Sequence, residues 1–592
     1  MSNIIIYDFE VFKYDTLLGA IIINDDECFI LQTWNLDEIR NFYKKNINSI
    51  WIGHNNSGYD NFILESIIKK KNPYDTSQEL IHSTNRFQKL TLHLYYYDIM
   101  SRHFGSLKAI EGSEGKKISE SEISFNIDRR LLDKEKIEVE SYNLDDLNQT
   151  YDNFISTIDE FNLKLDIAKE FNLSLDVLNM TSTQIAEKVL GAKQIKGIET
   201  QYVAPKMYDN LQVKNQELID FYLNEEFRNG KNIEIMLCGV EHKIGSGGIH
   251  GAKKKYHCDF AYYFDVSGYY NLIMILLNLL PRTIPKEGKK LYEYMYHEQL
   301  KLKKTNPRKR AIYKEILLAV FGATLNEYCG FYDPNHGTLI TMVGQMYAVD
   351  LIEKLEGKFD LIQSNTDGII AAPLPGVTEE DAINIINEWQ ERTGFVLKLE
   401  KVYNIHQRDV NNYMFVEGSG KVHVIGEAVK YYNTWENVLL KNCFYSKEPL
   451  ITHQAIVEFF VNNKLPEQVI EENKNKLRLF QYICKKGSYD YCVYEITNLE
   501  TNEITQEKVQ NINRVFASNS ELELGMIYKI KTNSKAKISN LPDNIFIYNE
   551  EILSKKAVNK LIDKIDYSYY IKRSYERIAE FIDISYIKDL NI

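Results

Sequence analysis

The chain has 592 residues and a formal net charge of −12, with 44% hydrophobic and 26% charged residues. That length exceeds what one hydrophobic core supports, so roughly two to four domains are expected, and the composition reads as soluble and globular. The longest apolar run, Leu272 to Leu280, is too short to span a bilayer, so no membrane partner is expected. Met1 to Asp8 offers no basic segment of the signal-peptide kind. The seven cysteines form no C-x-x-C pair, which argues against a zinc knuckle or a disulfide framework and for reduced thiols in a cytoplasm. The acidic total does not exclude a polyanionic partner, because cations cluster at Lys69–Lys71, Lys253–Lys255, Lys301 to Arg310 and Lys474 to Arg478.

In chain order, residues 1–35 alternate as a β-meander with strands at 4–7, 16–23 and 28–32; a helix at 36–45 and a strand at 49–52 follow. Residues 143–192 read as mostly helical, and strands followed by helices suggest a mixed sheet carrying helices. A Gly-rich turn spans Gly245 to Gly251 and precedes a strand ending at Asp265. Two basic helices, 292–304 and 307–321, are broken at Thr305-Asn306-Pro307, where Pro suits the first helical position. A helix at 341–355 leads into a hairpin of 359–363 and 368–372, with Asp367 in its turn. Beyond about residue 435 strands and helices mix without a recognisable motif.

Two sets of acids stand out. Asp8-Phe9-Glu10 places two carboxylates on one face of a strand, since side chains alternate with period two. Asp60 opens a helix, and Tyr142 and Asp146 lie one helical turn apart. Asp265 and Asp367 each end an apolar strand, with the basic hairpin between them. Taken alone, each of these two reads equally as a turn residue. Together they suit phosphoryl transfer, in which carboxylates on rigid supports hold divalent ions on one side of a triphosphate and cations flank the other.

The segments Asp265-Val266-Ser267-Gly268-Tyr269-Tyr270-Asn271, Lys314 to Gly322 and Asn365-Thr366-Asp367-Gly368 resemble, in order and spacing, motifs A, B and C of family B DNA polymerases. The N-terminal acids resemble the three motifs of a DEDDy 3′→5′ exonuclease. The resemblance implies an α/β multidomain chain: an RNase H-like exonuclease domain at 1–190, a connecting region and first palm segment at 191–285, fingers at 286–322, palm at 323–432, and thumb with C-terminal region at 433–592. Asp265 and Asp367, with the Val266 carbonyl, would bind metal in the polymerase site. Asp8, Glu10, Asp60 and Asp146 would do so in the nuclease site, with Tyr142 orienting the attacking water. Tyr270, Lys303 and Lys314 would hold the nucleotide. Asn56, Ser106, Leu107, Gly247, Gly248 and Tyr413 would touch DNA, whereas His54, His103 and His250 are read as structural or DNA-adjacent. The implied cofactor is Mg²⁺, two ions per site, with Mn²⁺ as a substitute. The implied partners of a monomer are primer–template DNA and dNTPs, with a terminal protein or replisome factors as candidates.

The chain departs from these motifs at Gly268, Tyr269, Asn271, Leu318, Ala319, Phe321, Asn365 and Gly368. Its compactness is similar to the protein-primed phage branch, yet the intervals on either side of Lys314 are too short for that branch's terminal-protein insertions. A phage replicase extending an ordinary primer in the host cytoplasm is the expectation. A nuclease with decayed polymerase motifs and a non-catalytic DNA-binding remnant stay open as alternatives.

Overall fold

The computed structural model describes residues 3–582 except 25–27, 83–88, 102–104, 122, 199, 201–209, 224–229, 367, 435–442, 444–445 and 533. Asp367 and His103 therefore lie outside the described residues. The chain forms two compact units: Met1–Asn179 with Tyr431–Gln454 and Glu467–Arg573, and Met180–Lys430 with Ala455–Pro466 and Ser574–Ile592. Both are mixed α/β.

The first unit is built on a five-stranded sheet in the order β3-β2-β1-β4-β5, from β1 (Ile4–Val11), β2 (Thr16–Ile23), β3 (Cys28–Thr33), β4 (Ile50–Gly53) and β5 (Tyr95–Asp98). The meander β1–β3 is antiparallel, and β4 and β5 add in parallel. Alternation along β1 divides two cores. Ile5, Tyr7, Phe9 and Val11 pack with α1 (Leu36–Lys45) and α2 (Asp60–Ile68), while Ile6 packs with Leu147 and Phe154 of the opposite layer. That layer contains α5 (Asp133–Ser156) and α6 (Ile158–Glu170), preceded in the chain by α3 (Pro73–His82) and α4 (Leu107–Glu114). Helix α5 starts ten residues before the expected 143, because the Glu135 carboxylate returns to cap the Leu132 N–H at 2.8 Å. Among the described residues the C-terminal part of this unit carries seven strands, β15 to β21 once the second unit's strands are counted: Tyr482–Lys485, Tyr491–Asn498, Ile504–Val509, Ile512–Ala517, Glu523–Lys531, Ser534–Lys537 and Ile545–Ile547. They form two sheets, β15-β18-β21 and β17-β16-β19-β20.

The second unit holds α7 (Ser182–Leu190), α8 (Gln216–Leu223) and, among the described residues, a nine-stranded antiparallel sheet in the order β14-β13-β12-β9-β11-β10-β8-β7-β6. Its strands are β6 (Ile233–Leu237), β7 (Val240–Gly245), β8 (Gly248–Ala252), β9 (Tyr256–Val266), β10 (Phe359–Asn365), β11 (Gly368–Pro373), β12 (Leu397–Asp409), β13 (Asn412–Glu417) and β14 (Val422–Ile425). The expected Gly-rich turn is the two-residue link of the β7–β8 hairpin, where Gly245 pairs with Gly248. Helices α9 (Tyr269–Leu276), α10 (Lys286–Thr305), α11 (Pro307–Ala323), α12 (Pro334–Leu355) and α13 (Glu379–Thr393) also belong to the unit. The break at 305–307 is as read from sequence: Asn306 caps Lys309 N–H at 3.0 Å and Pro307 opens α11. Helices α10 and α12 begin six and seven residues earlier than their apolar periodicity suggests. Pro285 precedes the one, and the Asp333 side chain with Pro334 starts the other.

Candidate active sites

On β1 the face that carries Ile6 into the core turns acidic at Asp8 and Glu10, and α5 packs against that face. Helix α5 delivers Asp146, and one carboxylate oxygen each of Asp8, Glu10 and Asp146 lie within 4.8 Å of one another. Asp60, the first residue of α2, stands outside this group of three. Its Oδ1 accepts the Phe9 N–H at 3.2 Å, and burial pushes its pKa up to about 7. Burial also raises Asp8, Glu10 and Asp146, with mutual repulsion adding to the first two. These carboxylates titrate as a set, and a set so poor in solvent is driven to bind protons or cations.

Two side chains to which the motif reading gave no role, Asn143 and Lys108, organise the cluster. Asn143, fully buried, donates from Nδ2 to Asp8 Oδ2 at 2.9 Å. It reaches there because Gly19, the cross-strand partner of Asp8, has no Cβ: one would stand 1.8 Å from Asn143 Oδ1. Lys108 of α4 ion-pairs with Asp146, lies 3.3 Å from Glu111 Oε1, and sits over the Tyr142 ring at 4.6 Å. Tyr142 hydrogen-bonds Asp146, and burial with the nearby acids holds its phenol well above the usual range. Burial likewise raises Glu111 to about 7. The sequence signal for Lys108 was its place inside Ser106-Leu107-Lys108-Ala109-Ile110, at a position the motif leaves unspecified.

The expected DNA-contacting residues are placed as follows. Ser106 is exposed at the start of α4 and Leu107 is half-buried. Asn56 is fully buried, with Nδ2 donating to Tyr97 O at 3.4 Å, so it shapes the turn before α2 and offers no surface to a ligand. Asp98 secures the same turn, accepting Asn55 N–H at 2.9 Å and Ser57 N–H at 3.1 Å. His54 Nε2 meets Gly105 O at 3.0 Å.

The sheet of the second unit repeats the pattern of β1. One face runs from apolar Ala261, Val402 and Ile370 to charged Asp265, with Lys398 its cross-strand partner on β12 and Gly368 its partner on β11. Asn365 pairs with Gly368, so the chain flanking Asp367 enters and leaves beside Asp265. Burial raises the Asp265 pKa while the ammonium groups of Lys398 and then Lys303 oppose it. Lys398, which sequence reading missed, ion-pairs with Glu400. Lys303 and Lys314 are exposed on α10 and α11. Val266 is buried next to Asp265.

The departures from the family motifs have local partners. Gly268, where Ser is usual, adopts φ +63° at the cap of α9, a left-handed conformation that favours glycine. Tyr270 on α9 stacks on Phe321 of α11, with ring centroids 3.9 Å apart and planes at 15°. Tyr269 donates to Gly344 O. Asn271, where Pro is usual, accepts from the buried Tyr292 hydroxyl at 3.0 Å, which joins α9 to α10. Asn365 Oδ1 meets His250 Nδ1 at 3.0 Å, and the neighbouring Ser364 meets His242 at 2.7 Å. Gly247 is exposed in the β7–β8 turn and Gly248 buried, whereas Tyr413 is 8% exposed within the sheet core.

No protein-family model matches the chain, and no curated protein matches it. Among solved structures it is similar to the family B DNA polymerase from the hyperthermophilic archaeon Pyrobaculum calidifontis, at 13% identity and a TM-score of 0.43, over 99% of this chain and 78% of that one.

Proposed function

We propose that the chain is a family B DNA polymerase with a DEDDy 3′→5′ exonuclease, which copies a template from dNTPs and removes misincorporated ends. The observation that carries this reading is the cluster of Asp8, Glu10 and Asp146, assembled from distant segments at the end of an apolar sheet face, in the same chain as a second apolar sheet face that ends in Asp265. The donors are all hard oxygens, which fits Mg²⁺ or Mn²⁺ better than softer metals. When bound, such ions activate the attacking oxygen and stabilise the leaving one.

In the nuclease site Asp8, Glu10 and Asp146 would ligate the ions, with Asp60 joining from the N-terminus of α2. Asn143 holds Asp8 in a fixed rotamer, and the Tyr142 hydroxyl beside Asp146 would orient water toward the scissile phosphate. Ser106 and Leu107 at the start of α4 would meet the single strand. In the polymerase site Asp265, with Asp367 and the Val266 carbonyl, would hold the ions. Lys303 and Lys314 on the α10–α11 hairpin would neutralise the triphosphate, and the Tyr270–Phe321 stack would wall off a 2′-hydroxyl. We assign the nine-stranded sheet to the palm, the hairpin to the fingers and residues 1–190 to the RNase H-like nuclease.

Primer extension with Mg²⁺ and dNTPs tests the reading. Wild type should extend and, without dNTPs, degrade the primer. Asp265→Ala should abolish extension and spare degradation, and Asp8→Ala the reverse. Degradation without any extension would leave only the nuclease, and neither activity would leave a DNA-binding remnant.

A further inference from the structure

Helix α4 has eight residues, too few to be stable through its own hydrogen bonds, and its last turn carries no basic side chain to meet its exposed carbonyls. The missing cation comes from β18. Arg514 is fully buried, and its Nη2 donates to Gly112 O at 3.0 Å and Lys116 O at 2.5 Å, at the C-terminal end of α4. Its Nη1 donates to Glu550 O at 2.6 Å and its Nε to Gln481 Oε1 at 2.8 Å. Gln481 in turn donates to Ser113 O at 2.9 Å, and Ile118 N–H to Asn549 O at 2.7 Å. Among the described residues no carboxylate forms an ion pair with this guanidinium; Glu551 acts on it only through its charge, and its hydrogen bonds all go to carbonyl and amide oxygens. The opposite end of α4 presents Lys108 to Asp146.

We propose that Arg514 is a positioning residue of the nuclease: by fixing the C-terminal end of α4 it holds Lys108 against the acidic cluster, which makes the 481–552 strands part of that site. A short helix held at one end moves as a rigid lever, so loosening Gly112 and Lys116 displaces Lys108. This rests on the nuclease reading above.

The test is a double-mutant cycle on the full chain, measuring 3′-end hydrolysis of a single-stranded oligonucleotide in single turnover with Mg²⁺ and with Mn²⁺. Arg514→Gln should slow hydrolysis roughly ten- to a hundredfold, as expected when a side chain that holds Asp146 and Tyr142 is misplaced, and add almost nothing when Lys108 is already Met. An equal loss in both backgrounds, or no loss in wild type, overturns the proposal. If Arg514→Gln does not fold, Gln481→Met, which removes the Ser113 contact, should show the same non-additivity with Lys108→Met; additive effects there overturn it equally. If wild type hydrolyses nothing, the nuclease reading fails by itself. Hydrogen exchange then decides the positioning: Arg514→Gln should speed exchange of the α4 amides by at least tenfold with β1 unchanged, and unchanged α4 protection refutes it.

Discussion

Gly19→Ala is the sharpest test of how the acidic cluster on β1 is held. A Cβ at this position of β2 would stand 1.8 Å from Asn143 Oδ1 and 2.8 Å from both Asn143 Cγ and Leu147 Cδ1. All three distances are far inside van der Waals contact, and none of these atoms is the end of a side chain free to swing into solvent, since Asn143 and Leu147 are fully buried. If Asn143 rotates away, its bond to Asp8 is lost, at about 1.5–3 kcal/mol for a hydrogen bond to a charged group. If α5 withdraws instead, overpacking costs about 1–3 kcal/mol. The lower backbone entropy of Ala in a strand returns about 0.5–1 kcal/mol. The net expectation is a loss of about 1–2 kcal/mol, read by urea unfolding. Freeing Asp8 should also slow 3′-end hydrolysis by about tenfold, while primer extension is kept. Asn143→Ala removes the two clashes with that side chain and leaves the one with Leu147 Cδ1, so Gly19→Ala should cost less stability in that background. Stability within about 0.5 kcal/mol of wild type, with unchanged hydrolysis, would refute the packing argument.

Glu111, raised by burial from 4.5 to about 7, sets a pH dependence. Between about pH 4.5 and 7 the folded state keeps a proton that the unfolded state has released, so stability falls as pH rises through that window, by on the order of 3 kcal/mol in all. Unfolding in EDTA across pH 4.5–8 should show a slope to which Asp60 and the raised acids of the cluster also contribute, and Glu111→Gln should reduce it; an unchanged slope in the variant removes Glu111 as a contributor. Tyr270→Ala breaks the stack on Phe321 and should raise ribonucleotide incorporation at least tenfold in single-nucleotide extension; unchanged sugar discrimination would take Tyr270 out of that role. Calorimetric Mn²⁺ titration should show a class of sites that Asp8→Asn removes and Asp265→Asn leaves intact, and its survival in Asp8→Asn would mean that the ions bind elsewhere. Tyr292→Phe strands Asn271 and should cost about 1–2 kcal/mol by thermal unfolding; no loss would mean that the α9–α10 junction holds by packing alone.

What could be read from sequence follows from the range of the physics involved. Period-two alternation is local, so Asp8 and Glu10 could be put on one strand face, and Tyr142 and Asp146 on one helix face, without knowing what packs there. The break before α11 was equally local, set by Asn306 and Pro307. The starts of α10 and α12 were missed although Pro285 and Asp333-Pro334 announce them, because their first turns are polar and apolar periodicity begins only later. Asn143 and Lys108 lie inside motif segments, but nothing in the sequence marks out their roles. Their importance depends on β1 meeting α5 and on α4 meeting α5, and neither residue departs from what a solvated helix would carry. Arg514 marks the limit. In Ile512-Asn513-Arg514-Val515-Phe516-Ala517 the polar pair reads as the solvent-facing part of a strand, yet both residues are fully buried. What keeps Arg514 there is a set of carbonyls on α4, some four hundred residues back in the chain. A guanidinium hydrogen-bonded to backbone and amide oxygens forms no ion pair, among the described residues, that a sequence pattern could announce. Only the packed chain brings this strand, from a stretch without a readable motif, against the end of the helix that carries Lys108.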